Sequence, residues 1–124
     1  MALIFLSVPS ASCTNGGRLT SSFLEEVAIL HEKYPQHTFI CPVIQWYSII
    51  GYTDCRDTSW DVWKPHCLNL ICKCDEVWVM IGQGWKIPQY IVNESNSSTG
   101  VAGELNLAIQ NHKKIAFVDV SGLT

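Results

Sequence analysis

The sequence has little charge and no excess of positive charge that could hold a polyanion. Charged residues make up 15% of its 124 positions, with eight Lys plus Arg against eleven Asp plus Glu and a net charge of −3. Proteins that track nucleic-acid phosphates carry a basic stripe, so a nucleic-acid polymer is excluded as a partner. No apolar run approaches the ~18–20 residues needed to cross a bilayer, which excludes a membrane-spanning helix. The opening stretch from Met1 to Val8 is apolar, but no basic segment precedes it and Pro9 cuts it short of a secretory signal. Ser10-Ala-Ser-Cys13 places small residues before a cysteine, as at a lipoprotein cleavage site, again without a basic flank. The expected compartment is therefore cytoplasmic, with the six cysteines as thiols and the sequons at Asn93 and Asn96 incidental.

Several familiar motifs are also missing. No Gly-Lys-Ser or Gly-Lys-Thr marks a Walker loop, and no dinucleotide fingerprint follows the first apolar run. There is no internal repeat, low-complexity tract or heptad pattern. His66, Cys67, Cys72 and Cys74 lie close in sequence, yet they contain no Cys-x-x-Cys and have no second ligand cluster. Buried thiols explain them without a metal, and no cofactor is expected.

What is present is material for a packed core. The chain is 48% hydrophobic with five Trp, four Tyr and four Phe, the reverse of a disordered composition. Its length predicts a single domain over residues 1–124. Short apolar runs alternate with helix-period stretches, which predicts βαβ units and a small doubly wound α/β sheet of four to five parallel strands with flanking helices.

Leu3 to Val8 reads as a buried strand, followed by a turn-rich loop from Pro9 to Gly17. Ser22 with Glu25 forms a capping-box signature, and a helix from Ser21 to Lys33 turns Phe23, Leu24, Val27, Ala28 and Leu30 inward. His37 to Cys41 reads as a strand stopped by Pro42, and residues 43–59 as a long connection. Trp60, Trp63, Cys67, Leu70 and Ile71 recur at helical spacing despite Pro65. Glu76 to Ile81 contains the continuous apolar run of a central strand. A third helix-period stretch, Thr99 to Asn111, packs Val101, Ala102, Leu105, Ala108 and Ile109, and Ile115 to Val120 is the last strand.

Ligands in such sheets sit beyond the carboxyl ends of the strands, where the strand order reverses. That rule selects Ser7, the loop with Pro9, Gly17 and Arg18, the stretch after Pro42 with Trp46, and the segment from Gly84 and Trp85 to Ser98, Thr99 and Gly100. Asn15-Gly-Gly-Arg18 suits a phosphate-contacting loop or a plain solvated turn. Ser97-Ser-Thr-Gly-Val-Ala-Gly-Glu104 puts hydroxyls, free N–H groups and a carboxylate within about one helical turn. The helix start is expected to keep Glu104 ionised, as a carboxylate nucleophile requires, although an ordinary capped helix has the same spacing. His31, His37 and His112 are expected at the surface. The tryptophans and tyrosines from Trp46 to Trp63, together with Trp85, offer faces for stacking on a base or for core and subunit contacts.

The ordered pieces Leu3-Ile-Phe-Leu-Ser-Val-Pro9, Phe39-Ile-Cys-Pro-Val43, Trp60-Asp-Val-Trp63, Cys74-Asp-Glu-Val-Trp-Val79, Gly84-Trp85, Thr99-Gly-Val-Ala-Gly-Glu-Leu105 and Lys114-Ile-Ala-Phe-Val-Asp119 cover nearly the whole chain. Together they resemble the nucleoside 2-deoxyribosyltransferase superfamily, and within it a short branch associated with phages and bacteria. The resemblance implies a flavodoxin-like sheet, a homo-oligomer of at least two subunits, and cleavage of the N-glycosidic bond of a nucleoside or nucleoside 5′-monophosphate. It also implies that a glutamate matching Glu104 attacks C1′ and that an acceptor resolves the glycosyl ester.

Two positions depart from the family pattern. Phe5 stands where a tyrosine is common, and Cys67 where the family has an aspartate; Asp57 or Asp61 lies near enough in sequence to take over the carboxylate role. Two readings follow. One is an N-glycosidase or deoxyribosyltransferase with Glu104 and Asp61 as catalytic residues and Cys67 in the ligand site. The other is a binding protein on the same scaffold that captures a nucleotide or nucleotide-derived signal without turnover. The polar segment from Lys86 to Ser98, with Tyr90-Ile-Val92 at its centre, is expected to act as a lid.

Overall fold

The computed structural model describes residues 1–8, 14–15, 18–45, 60–81 and 99–119. In chain order these form β1 (Leu3–Ser7), a hairpin of β2 (Thr14–Asn15) and β3 (Arg18–Leu19), α1 (Ser21–Lys33), β4 (Thr38–Ile40), α2 (Trp60–Lys73), β5 (Glu76–Ile81), α3 (Thr99–Gln110) and β6 (Lys114–Asp119). The main sheet is parallel throughout in the order β4-β1-β5-β6, with Ile4 level with Phe39, Phe5 with Val77, and Val77 with Ile115. This is the flavodoxin-like α/β arrangement, with helices covering the sheet. The order reverses between β1 and β5, the two central strands.

Those two strands are continuous apolar runs because both of their faces are covered. Phe5 and Val77 pack with Cys67 and Ile71 of α2 and Leu107 and Ala108 of α3. Ile4 and Leu6, one residue out of phase, pack with Phe23, Val27 and Leu30 of α1 and with Trp78 and Met80. Ser7 therefore shares the face of Phe5, beneath α2 and α3.

The cap of α1 lies two residues before the expected Ser22. Thr20 Oγ1 accepts from the Phe23 backbone N–H at 3.3 Å, and Ser22 donates its hydroxyl to Thr20 at 3.4 Å. The inner stripe is narrower than expected: Phe23, Val27 and Leu30 are buried, while Leu24 and Ala28 are exposed. The loop expected from Pro9 to Gly17 contains β2, which pairs antiparallel with β3 just beyond it, Asn15 level with Arg18. Pro42 ends the strand as expected but opens a helical stretch at residues 42–45, a position where its missing N–H costs nothing. Inside α2, Pro65 removes the N–H that would bond to the Asp61 carbonyl, and the helix runs on to Lys73.

At the amino ends of the strands, His37 is half-buried rather than on the surface. Its Nδ1 accepts from the Ala2 N–H at 3.2 Å and its ring meets Tyr34, Phe39 and Trp78. The end of α3 is closed by His112, whose φ of 55° is in the left-handed region. His112 N–H bonds to the Ile109 carbonyl and Lys113 N–H to that of Ala108, the paired bonds of a Schellman cap. Ile109, expected inside, is 62% exposed, and Phe117 on the edge strand β6 is 38% exposed. No helix among the described residues is long and apolar enough to cross a membrane.

Candidate functional site

Three residues from three elements meet at the carboxyl edge of the sheet. Ser7 ends β1, Cys67 lies on α2 and Glu104 is the sixth residue of α3, the helix that follows β5. Ser7 Oγ donates to one carboxyl oxygen of Glu104 at 2.9 Å, and Cys67 Sγ donates to the other at 3.4 Å. All three are buried, with Glu104 only 7% exposed.

The local patterns explain the convergence. On α3, Val101, Leu105 and Ala108 form the buried stripe, and Glu104 falls inside it at helical spacing. On α2, Cys67 and Ile71 are one turn apart and face the sheet. The pleat of β1 places Ser7 on that same side. A carboxyl group among apolar residues is costly to bury unless hydrogen-bonded, and the hydroxyl and thiol supply those bonds.

Burial also changes the group's chemistry. Loss of solvent lifts the Glu104 carboxyl to about 7, and the bonds from Ser7 and Cys67 only partly oppose the rise. The expectation of a carboxylate held fully ionised by the helix start is therefore corrected. Glu104 lies beyond the first turn, where the helix field has faded, and desolvation dominates. The Cys67 thiol is raised by burial and by the negative charge and hydrogen-bond acceptance of Glu104, so it stays a neutral donor. Cys41, just after β4, is pushed up to about 12, first by burial and also by the charge of Glu104, against backbone hydrogen bonds from Ile44 and Val43 that act to lower it.

Cys67 also borders a cleft of about 250 Å³. Pro42 and Gln45 form one wall; Trp63, His66, Cys67 and Leu70, successive positions on one face of α2, form the other.

Of the residues singled out from the sequence, Ser7, Cys67 and Glu104 are brought together. Arg18 lies in β3, Asp61 in the first turn of α2, and Thr99 and Gly100 open α3. Pro9, Gly17, Trp46, Asp57, Gly84, Trp85 and Ser98 lie outside the described residues, as does the segment expected to form a lid. Of the His66, Cys67, Cys72 and Cys74 group, Cys67 and Cys74 are buried while His66 and Cys72 are exposed. No group of three or more metal-binding side chains occurs among the described residues. Sequence reasoning passed over Cys41; its position immediately beyond β4, at the ligand edge of the sheet, was the available signal.

The chain matches none of the known protein families or curated proteins with which it was compared.

Proposed function

We propose that the protein cleaves the N-glycosidic bond of a nucleoside or nucleoside 5′-monophosphate, passing the sugar to water or to another base. The observation that carries this reading is the buried Glu104 carboxyl, held from β1 and α2 beside the point where the strand order reverses. A structural glutamate is seldom placed inside an apolar helix stripe, whereas a nucleophile needs a fixed carboxylate in a site that excludes water. The hydroxyl that Phe5 lacks is supplied two residues further along the same face by Ser7. Trp63, on the cleft wall, offers an aromatic surface to a base.

In the first step the ionised Glu104 attacks C1′, the C1′–N bond breaks and the base leaves with its electron pair, taking a proton from solvent or from Asp61. In the second step water or an acceptor base attacks C1′, gives its proton to Asp61 or to solvent, and releases the carboxylate, with retention at the anomeric carbon. Ser7 keeps the carboxyl aimed through both steps. The proposal includes a cytoplasmic homo-oligomer that needs no metal or cofactor, takes small nucleosides or nucleotides rather than a nucleic-acid polymer, and does not act on membranes.

A second reading, capture of a nucleotide without turnover, is favoured by the thiol at Cys67 and by the partly protonated state of Glu104 near neutral pH. One experiment separates the two: incubation with a panel of ribonucleosides, deoxynucleosides and their 5′-monophosphates. Release or exchange of a base that disappears in Glu104→Ala supports cleavage. Stoichiometric recovery of unchanged ligand, still bound by Glu104→Gln, replaces it with capture.

A further inference from the structure

We infer that Cys67 is the positioning residue of this site, its side chain holding one oxygen of Glu104 and separating the carboxyl from the cleft through which small molecules reach it. The inference rests on Glu104 being the reacting group and concerns how that group is reached. Two observations carry it. Cys67 lines the cleft, and the same Cys67 bonds to Glu104 Oε2. It is 1% exposed, so a closely packed side chain links the cleft wall to the carboxyl.

The two holds on the carboxyl are unequal. Ser7 donates an O–H bond of 2.9 Å from a central strand paired on both sides, while Cys67 donates an S–H bond of 3.4 Å from a helix. A thiol is a weak donor. Of the two bonds the Cys67 one is the weaker, so rotation of that side chain releases Oε2 while Ser7 leaves Oε1 fixed. The oxygen so released is the one bonded to a cleft-lining residue, which assigns Oε2 as the attacking atom and the face bounded by Pro42, Trp63 and Leu70 as its approach.

The test is chemical labelling of carboxyl groups, read peptide by peptide by mass spectrometry, with a water-soluble carbodiimide and a small amine as the probe. It needs no turnover, so its outcome is independent of whether nucleosides are cleaved. Cys67→Ala is expected to raise the labelling rate at Glu104 about tenfold, with exposed carboxyls such as Glu25 unchanged, while Cys67→Ser stays near the parent rate. Leu70→Trp, which narrows the cleft and leaves Cys67 in place, is expected to lower Glu104 labelling several-fold. This variant keeps the test decisive if Cys67→Ala does not fold. Equal Glu104 labelling in the parent, Cys67→Ala and Leu70→Trp proteins would overturn the assignment, since the carboxyl would then be reached from elsewhere.

Discussion

Glu104 ties stability to pH in a direction opposite to that of a surface carboxylate. Its carboxyl moves from 4.5 to about 7 on folding, so the folded chain holds the proton more tightly than the unfolded chain. The resulting stabilisation is complete below about pH 4.5 and is lost as pH rises through about 7, a swing of about 3 kcal/mol. Denaturant titrations between pH 4 and 8 are expected to show this loss, and Glu104→Gln to remove it, leaving the variant more stable than the parent at pH 8. Activity runs the other way, because attack needs the ionised form; turnover is expected to rise through a midpoint near pH 7. Ser7→Ala removes a bond that favours the charged carboxylate, so its midpoint should lie higher, at a stability cost of about 1–3 kcal/mol. A midpoint unchanged in Ser7→Ala would detach the hydroxyl from the chemistry.

At the level of elements, two helix ends give clean tests because their bonds are local. Thr20→Ala removes the acceptor for the Phe23 N–H and is expected to cost about 1 kcal/mol in chemical denaturation. His112 pays a steric cost at φ 55°, which glycine avoids, so His112→Gly is expected to stabilise by about 0.5–1 kcal/mol. An unchanged midpoint in His112→Gly would mean that its ring makes compensating contacts. These ends also mark where the sequence stopped being legible. The strands from Leu3 and Glu76 were readable as apolar runs between turn residues, and the helices from periodicity. The choice of Thr20 over Ser22 was not, since both hydroxyls precede the same stripe and only the chain's approach selects between them. Glu104 was readable as a candidate from its position after the central run. Its neutralising environment was not, because that depends on α2 and α3 stacking on the face of β1 that carries Ser7.

For the whole molecule, Ile109 and Phe117 are two of the four large apolar residues left exposed among those described, the others being Met1 and Leu24. Phe117 is level with Val79 and so lies on the α3 side of the edge strand, the helix that carries Ile109. A homo-oligomer that covers this edge accounts for both. Sedimentation at micromolar concentration is expected to give at least a dimer, reduced to monomer by Ile109→Asp; a monomeric parent protein would remove the oligomer from the account. The low charge, 15% of the residues, is what a surface used partly for such contacts would carry. The central claim, however, concerns one bond, between Glu104 and a sugar carbon. It is tested most directly by incubating the protein with the nucleoside and nucleotide panel, quenching in acid and weighing the Glu104 peptide. The account predicts a glycosyl adduct on that peptide, accompanied by free base, with neither present in Glu104→Ala. Base release with no dependence on Glu104, or a panel returned wholly intact, would contradict it.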